Sequence, residues 1–498
     1  MLYQLFINNQ WVDAEGGQTF ESLNPFDGSV VASVPRGQKQ DIDTAVRAAR
    51  KAFDEGPWPR MTGAERAGRL QKLSELIDTN AQELVSLIIS ESGSTYRKAK
   101  GEVWLSGKNA AYFSKLAEKD WSREIENLSR PGVSKNVLVR EPMWVCGQIT
   151  PWNFPLQMCV WKIGAALATG NTVVLKPAEE TPAVALFLAR LLAECDFPPG
   201  VVNVVTGYGE EAGAALSEHP LVDKIAFTGS TEIGKRIMNA ASTTLKKVTL
   251  ELGGKSANIV LPDADMTQAV DAALYGAFFH TGQCCTAGTR LLLHQSVHKE
   301  FMASLLEKTA RLKLGDPKDK ATDMGPLVSK KQQETVMRYI EAGKQEGAQC
   351  VLGGEQPKEP ELSKGCFVAP TIFDGVQNSF KIAQEEIFGP VLSVLTFNTP
   401  EEAVALANDS IYGLAGAVWS QNDEQAMAVA RQLRAGTVWV NDYHLVSEKA
   451  PFGGYKQSGL GRELGDEGLL AYTELKHIHI DELKDRAKKS WYDVIVPK

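Results

Sequence analysis

The spacing of apolar residues changes along the chain and separates β-rich from helical regions. Two β-rich runs, 5–12 and 29–35, are separated by Gly, Asn-Pro and Asp-Gly steps that are typical of turns. From Asp41 to about Lys119, apolar residues recur three and four positions apart, which predicts amphipathic helices. The β pattern returns near Val137.

Beyond residue 144, short β-branched runs alternate with helical segments. Strands are predicted at 144–150, 171–177, 201–207, 224–230, 247–254, 256–261, 289–294, 388–397 and 436–441, and helices at 183–195 and 211–219. Such alternation, with nearly continuous apolar strands, is typical of a parallel sheet covered by helices on both faces. The predicted fold class is therefore α/β. Two more strand-like runs, 477–480 and 490–496, follow near the end.

Length and composition restrict the classes of protein that fit this pattern. A chain of 498 residues is too long for one hydrophobic core, so two or three domains are expected. The formal net charge of −8 argues against a nucleic-acid partner. The seven cysteines show no CxxC spacing, which indicates a reducing compartment. Because no signal peptide and no membrane-spanning apolar run is recognisable, we expect a soluble cytoplasmic protein.

Two glycine-containing loops are candidates for binding a phosphate group. GYGEEAG (207–213) follows a predicted strand, but its third glycine is displaced from the dinucleotide-binding pattern. GSTEIGKR (229–236) joins a predicted strand to a helix, where backbone N–H groups can face a pyrophosphate. Arg236 stands where a P-loop needs Ser or Thr to hold Mg²⁺, which argues against an ATPase. A tight glycine turn without a ligand is the alternative.

A few polar residues with unusual neighbours supply candidate chemistry. Asn153 lies between Trp and Phe, and because burying an unpaired amide is costly, it either has a structural partner or donates to a developing oxyanion. Glu251 ends a predicted strand and is either an ordinary surface carboxylate or a functional acid. The neighbours Cys284 and Cys285 do not suit an ordinary disulfide, whose Cα atoms lie about 5.5 Å apart. The pair is either inert or contains a reactive thiol.

Six short motifs follow one another along the chain. They are PWNFP (151–155), FTGSTEIG (227–234), LELGGKS (250–256), GQCCTAG (282–288), EEIFGPV (385–391) and PFGGYKQSG (451–459). Together they resemble the NAD(P)-dependent aldehyde dehydrogenase superfamily, and most closely its broad-specificity enzymes that do not acylate CoA. The resemblance runs from about residue 5 to the tail.

The resemblance implies a role for one of the two adjacent thiols. In the pattern Gly-Gln-x-Cys the nucleophile is the second residue after Gln, here Cys285, and Cys284 lines the substrate pocket. Attack on an aldehyde would give a thiohemiacetal, and loss of hydride would leave a thioester. Asn153 and the backbone N–H of Cys285 would hold the oxyanion. Glu251 would activate the hydrolytic water and Glu463 would relay protons, and no step needs a metal ion.

The same resemblance implies a bound NAD. The pyrophosphate is assigned to the turn from Gly229 to Gly234, chiefly through Ser230, and the adenosine ribose to Lys176 and Glu179. Because a carboxylate accepts ribose hydroxyls and repels a 2′-phosphate, NAD is preferred to NADP, although Lys176 could tolerate the phosphate. The other expected cofactor contacts are Ile149, Trp152, Gly209, Phe227, Ile233, Leu252, Glu386 and Phe388.

Motif positions also imply an aldehyde pocket with aromatic and sulfur-containing walls. Its expected residues are Phe154, Met158, Trp161, Phe279, Cys284 and Phe452. A charge-free pocket of this kind favours apolar aliphatic or aromatic aldehydes. Betaine aldehyde or another amino-aldehyde is the alternative, because aromatic boxes also bind quaternary ammonium groups. However, Phe279 and Phe452 stand where betaine aldehyde enzymes usually have Trp.

Two further classes remain to be separated from an aldehyde-oxidising enzyme. A CoA-acylating relative is disfavoured because Glu251, which such relatives commonly lack, is present. A non-catalytic protein with the same fold is disfavoured because both Cys285 and Glu251 are retained.

The implied architecture is the aldehyde dehydrogenase fold. A Rossmann-like cofactor domain would comprise 1–119 and 142–253, and an α/β catalytic domain would comprise 254–455. A small β element built from 120–141 and 470–498 would pair across subunits, giving a homodimer or a homotetramer. The β-rich C-terminal run is consistent with an edge strand that needs a partner.

Overall fold

The computed structural model of the protein describes residues 3–496, and its strands form four sheets. The strands, in chain order, are β1 (Leu5–Ile7), β2 (Gln10–Val12), β3 (Thr19–Leu23), β4 (Val30–Pro35), β5 (Arg123–Ile125), β6 (Ser134–Pro142), β7 (Val145–Ile149), β8 (Thr172–Lys176), β9 (Val202–Val204), β10 (Lys224–Thr228), β11 (Lys247–Glu251), β12 (Ala257–Val260), β13 (Arg290–His294), β14 (Gln349–Leu352), β15 (Thr371–Asp374), β16 (Val391–Phe397), β17 (Ala415–Trp419), β18 (Thr437–Val440), β19 (Gly459–Leu460) and β20 (Thr473–Asp481).

Helices cover the faces of the two large sheets. In chain order they are α1 (Lys39–Asp54), α2 (Gly63–Thr79), α3 (Ala81–Ser92), α4 (Tyr96–Ala117), α5 (Pro155–Ala168), α6 (Pro182–Ala193), α7 (Ala214–Glu218), α8 (Thr231–Ser242), α9 (Met266–Phe278), α10 (His298–Thr309), α11 (Lys330–Gln345), α12 (Lys381–Gln384), α13 (Pro400–Asn408), α14 (Asp423–Ala430) and α15 (Gly465–Leu470). Within residues 3–496, no helix combines the length and the apolar character needed to cross a membrane.

The first large sheet has the strand order β19-β11-β10-β7-β8-β9-β1-β2. Its five central strands are parallel, and antiparallel strands close both edges. The carboxyl ends of β10 and β11 are in register, so Thr228 lies opposite Glu251. The parallel α/β arrangement predicted from the apolar pattern is confirmed.

The second large sheet has the order β14-β15-β16-β13-β12-β17-β18. All of its neighbouring pairs are parallel except β14 with β15. The central strands β12, β13 and β17 are buried almost throughout, as expected for strands covered by helices on both faces. The large cavity described below lies beside the carboxyl ends of strands in the first sheet.

A small antiparallel sheet, β20-β6-β5, lies apart from the two large ones. β20 pairs with β6 from Thr473–Pro142 to Asp481–Ser134, and many of its side chains are exposed. The predicted strand at 490–496 is wrong, because a 3₁₀ helix spans Ser490–Val494. This run has no paired strand in the described chain, so its backbone forms local turns instead. Residues 497–498 lie outside the described part, and the division into domains stays a prediction.

Candidate active site

A single cavity of about 550 Å³ collects most of the residues selected from the motifs. Asn153, Glu251 and Cys285 all line it, although they come from segments that are far apart in the sequence. Glu251 is the last residue of β11, Asn153 precedes α5, and Cys285 follows the 3₁₀ turn after α9. All six predicted substrate-pocket residues line the same cavity.

The backbone before the two thiols makes an unusually sharp turn. His280, Thr281 and Gly282 follow one another in the left-handed region, with φ of +50°, +58° and +72°. A Cβ on Gly282 would lie 2.2 Å from the backbone oxygen of Gly389, so only glycine fits between these segments. This turn fixes the direction in which the following residues, including Cys285, enter the cavity.

The two neighbouring thiols shift each other's pKa in opposite directions. The Cys284–Cys285 hydrogen bond lowers the pKa of Cys284 to about 5, whereas the same bond, together with burial, raises the pKa of Cys285. Cys284 Sγ also lies 3.3 Å from Thr286 Oγ1, which is 3.0 Å from Nδ1 of His444. Because two adjacent thiolates would repel each other, ionisation of Cys285 requires a base to remove its proton.

Asn153 is buried with its amide facing the thiol-bearing loop. Its Nδ2 donates to the backbone oxygen of Gln283 at 3.0 Å, and its own backbone oxygen accepts from Lys98 Nζ at 2.7 Å. The side chain is therefore held between two segments and keeps a second amide hydrogen for a ligand in the cavity.

Glu251 is a buried carboxylate with an unusual lack of partners. Only 5% of the residue is exposed, and neither of its carboxylate oxygens has a hydrogen-bond partner among the described residues. Burial, and then the charge of Glu463, raise the pKa of Glu251 well above its ordinary value. A buried, unpartnered carboxyl group with a raised pKa is typical of residues that exchange protons in active sites.

An ion pair between Lys162 and Glu463 lies beside Glu251, and Lys162 was not predicted from the sequence. Lys162, in the middle of α5, is fully buried, pairs with Glu463 and donates to Thr228 Oγ1 at 2.7 Å. The sequence contained one signal for it, a lysine inside the otherwise nearly apolar run PLQMCVWKIGAALA. Glu463 lines the cavity, so the pair extends the buried polar region away from Glu251.

The predicted cofactor contacts divide into two groups. One group lines the cavity: Trp152, Gly229, Ser230, Leu252, Glu386 and Phe388. The other group does not line it: Ile149, Lys176, Glu179, Gly209, Phe227, Ile233 and Gly234. Several members of the second group nevertheless end the neighbouring strands β7, β8 and β10 or begin α8 at the carboxyl edge of the first sheet.

The loop between β10 and α8 has the features of a phosphate site. Ser230 is the N-cap of α8 and its hydroxyl accepts from the Ile233 N–H at 3.4 Å. Unpaired N–H groups at the start of a helix attract anions. Lys176, at the end of β8, is buried and lies 3.1 Å from the partly exposed carboxylate of Glu179.

Glu386 and Phe388 approach the cavity from the other side. Glu386 Oε1 accepts from the Gly254 N–H at 3.0 Å, and burial raises the pKa of Glu386 to about 7. The rings of Phe388 and Trp152 meet edge to face with centroids 5.2 Å apart. A Cβ on Gly253 would lie 2.3 Å from the Glu386 carboxylate, so a larger residue at 253 would displace that side chain.

The walls of the cavity are mainly apolar and aromatic. Phe154 and Phe279 have ring centroids 6.2 Å apart, and Trp161 and Phe452 meet at 5.5 Å. Among the described residues that line the cavity, the charged ones are Glu251, Glu386 and Glu463. Several wall residues outside the motifs were not predicted from the sequence: Trp104, Leu105, Gln157, Tyr275, Gln332, His444, Leu445 and Val446. Thr286, inside GQCCTAG, also lines the cavity and was not predicted.

Comparison with known proteins gives a consistent result. Residues 11–478 match the model of the Aldehyde dehydrogenase family. The betaine aldehyde dehydrogenase of Bacillus subtilis is 46% identical over 479 residues, which cover 96% of this chain and 97% of that protein. The human mitochondrial aldehyde dehydrogenase is also 46% identical, over 480 residues that cover 96% of this chain and 92% of the relative.

Two solved structures show how far the likeness extends in three dimensions. The NAD⁺ complex of Staphylococcus aureus betaine aldehyde dehydrogenase superposes with a TM-score of 0.95 at 40% identity, covering 98% of this chain and 96% of that one. The NAD⁺ complex of a Bacillus cereus aldehyde dehydrogenase gives 0.94 at 48% identity, covering 97% of each chain. The expected fold class is confirmed by these neighbours, and the chain belongs to the aldehyde dehydrogenase family.

Proposed function

We propose that the protein oxidises apolar aliphatic or aromatic aldehydes to carboxylic acids, with NAD as hydride acceptor and Cys285 as nucleophile. The observation that carries this proposal is the convergence of Cys285, Asn153 and an unpartnered Glu251 on one largely apolar cavity. This arrangement supplies a nucleophile, an oxyanion donor and a base within a single site.

The reaction begins at the thiol of Cys285. Its raised pKa means that the proton must be taken up as the sulfur attacks, and Glu251 is the base that faces the same cavity. Attack on the aldehyde carbon forms a C–S bond and a tetrahedral thiohemiacetal oxyanion. One amide hydrogen of Asn153 and the backbone N–H of Cys285 stabilise that oxygen; a single such donor contributes about 3 kcal/mol in comparable sites.

Collapse of the oxyanion re-forms the carbonyl, expels hydride from the former aldehyde carbon and leaves a thioester on Cys285. After it has passed on the proton taken from Cys285, Glu251 removes a proton from water, whose oxygen attacks the thioester carbon; the C–S bond breaks, the carboxylic acid is released and the Cys285 sulfur is reprotonated. The buried Lys162–Glu463 pair beside Glu251 provides groups that can pass the proton onward. The chain's own residues therefore account for both half-reactions.

The residues at the carboxyl edge of the first sheet suit a dinucleotide. When bound, NAD supplies the carbon that accepts the hydride. The N-cap Ser230 and the start of α8 would hold its pyrophosphate, and Lys176 with Glu179 its adenosine ribose. Glu386 and Phe388 would hold the nicotinamide ribose and ring. The NAD⁺ complexes of the two structural neighbours support this choice of cofactor.

The preference for NAD over NADP is expected to depend on the Glu179 carboxylate. Glu179→Gln should raise kcat/KM for NADP⁺ roughly ten-fold, because removing a like charge near the 2′-phosphate removes a repulsion of about 1 kcal/mol or more. Steady-state kinetics with both cofactors measures the ratio. Glu194→Gln, which neutralises an exposed carboxylate at the far end of α6, should leave the ratio unchanged. An unaltered ratio in Glu179→Gln would contradict the assignment.

The apolar walls favour an apolar substrate. No carboxylate other than Glu251, Glu386 and Glu463 faces the cavity among its described lining residues, and the paired rings of Phe154 with Phe279 bury apolar surface efficiently. Oxidation of betaine aldehyde is the second candidate, because an aromatic wall attracts quaternary ammonium and the Bacillus subtilis relative bears that name.

A substrate panel separates these candidates and tests the proposed function. We expect hexanal or benzaldehyde to give a kcat/KM at least about ten-fold higher than betaine aldehyde, measured as NADH absorbance. The same reactions with added CoA should give no acyl-CoA, since Glu251 directs water to the thioester. A higher kcat/KM for betaine aldehyde would contradict the proposed apolar substrate class. Formation of acyl-CoA would show that the thioester is transferred to CoA and not hydrolysed.

Assembly and location complete the proposal. The exposed strand β20 of the small sheet is a suitable surface for pairing two subunits, giving a homodimer or a homotetramer. The proposal includes three domains: a cofactor domain of residues 1–119 and 142–253, a catalytic domain of residues 254–455, and an oligomerisation element of residues 120–141 and 470–498. It also includes a cytoplasmic location.

A further inference from the structure

An ion pair buried beneath the cavity has no role in the mechanism above. Lys98 and Glu102 lie one turn apart on α4, and their side chains are 2% and 0% exposed. Their charged atoms, Lys98 Nζ and Glu102 Oε2, are 2.6 Å apart. A buried pair of this kind costs desolvation of both charges, so it adds little stability compared with apolar residues of the same size. Its contacts point instead to the segment that carries Asn153.

Both members of the pair bind the backbone around Asn153. Lys98 Nζ donates to the backbone oxygen of Asn153 at 2.7 Å and lies 4.2 Å from the ring centroid of Phe154. Glu102 Oε1 accepts from the backbone N–H groups of Leu156 and Gln157 at 2.9 and 3.2 Å. The carboxylate thereby satisfies two N–H groups in the first turn of α5, where the helix dipole favours a negative charge.

We infer that Lys98 and Glu102 are positioning residues, which hold the Asn153 amide and the Phe154 ring in the geometry needed for attack on the aldehyde. The inference rests on the proposed function, because it assigns the pair an effect only through the oxyanion donor and the pocket wall. Asn153 is fixed on its other side by its side-chain bond to the Gln283 oxygen. The segment around Asn153 is thus held by four polar contacts, three to α4 and one to the thiol loop.

Position matters here because a displacement of about 1 Å in a reacting group can lower a rate about 100-fold. The polar contacts of Lys98 and Glu102 fix backbone atoms at residues 153, 156 and 157, which a purely apolar contact between α4 and α5 would leave free to slide. Loss of the pair should therefore slow the attack of Cys285 on the aldehyde.

The test is a double-mutant cycle in the full-length protein with NAD⁺ and hexanal. The paired variant Lys98→Met with Glu102→Gln removes both charges together, and its glutamine oxygen can still accept from the N–H groups of α5. We expect its single-turnover rate constant for NADH formation to fall about 10-fold to 100-fold. In an Asn153→Ala background, the same two substitutions should lower the residual rate by a much smaller factor, at most about three-fold, because only the effect through Phe154 remains.

Several controls make the outcome unambiguous. Arg311→Met with Glu307→Gln removes an exposed pair of the same spacing at the carboxyl end of α10, and should leave the rate unchanged in both backgrounds. Circular dichroism and thermal melting establish folding. Glu102→Gln alone, which keeps the helix cap and the cation, serves if the paired variant does not fold, and should lose about 3-fold to 10-fold with the same non-additivity.

Equal losses in the wild-type and Asn153→Ala backgrounds, or no loss in the wild type, would overturn the inference while leaving the proposed function intact. Full activity of Asn153→Ala would overturn it as well, because the pair would then have no oxyanion donor to position. Absence of NADH formation by the wild-type protein with every aldehyde of the panel would overturn the proposed function, and the inference with it.

Discussion

Cys285→Ala is expected to reduce aldehyde oxidation by at least about 10⁴-fold, to the limit of an NADH absorbance assay. Cys284, the other thiol that lines the cavity, lies 3.3 Å from Thr286 Oγ1, and we do not expect it to take over the covalent step. The variant should keep its fold and its affinity for NAD⁺, since the sulfur is a small part of a partly buried loop. Loss of activity in this variant would therefore report on the chemical step and not on folding or NAD⁺ binding.

Cys350→Ala is the matched control for this prediction. Cys350 is also a free, half-buried thiol, but it lies on β14 at the edge of the second sheet, outside the residues that line the cavity. Its loss should change kcat by less than about two-fold. Residual activity above about 1% in Cys285→Ala would show that the reaction proceeds without that sulfur.

Mass spectrometry can identify the acylated sulfur directly. Protein quenched during turnover of hexanal should carry one hexanoyl group, and peptide mapping should locate it on Cys285 rather than Cys284. The distinction is informative because the hydrogen bond between the thiols makes Cys284 the more acidic member in the ligand-free protein. Attachment to Cys284 would reassign the nucleophile to its neighbour.

The sequence predicts those helices and strands whose surroundings produce a regular alternation of apolar and polar residues. The helical region predicted from Asp41 to about Lys119 contains α1 to α4, and the apolar strands β7, β8 and β10 lie within a few residues of their predicted bounds. Helix α5 was not predicted, because every one of its residues is buried and no polar face marks the helical period. The tail run at 490–496 was predicted as a strand from its composition, but strand formation depends on a partner that lies outside local sequence.

In the candidate site, too, some residues can be predicted from local sequence, whereas others are revealed only by tertiary packing. Asn153, Glu251 and Cys285, selected from short motifs, line one cavity, and their catalytic roles stay a prediction. Lys98 and Glu102 resemble an ordinary surface pair at i and i+4 in the sequence. Only the packing of α4 against α5 reveals that both are buried and bound to the segment around Asn153.

Glu251→Gln is expected to separate the two half-reactions. Thioester hydrolysis should slow about 10²-fold to 10³-fold, because glutamine cannot take a proton from the attacking water. Reduction of NAD⁺ in the first turnover should persist to a greater extent, so that stopped-flow absorbance shows a burst of about one NADH per site followed by a slow phase. The trapped thioester should accumulate in the same samples.

The pH dependence of kcat provides an independent measure of this role. Burial and the charge of Glu463 raise the pKa of Glu251 well above its ordinary value, so the active, ionised form is present above that pKa and is lost as the pH falls through it. Wild-type kcat should therefore decline toward acid pH, whereas Glu251→Gln should lose this limb. Glu467→Gln, an exposed carboxylate four residues after Glu463, should retain the wild-type profile. An unchanged acid limb in Glu251→Gln would assign the titration, and with it the hydrolytic base, to another group.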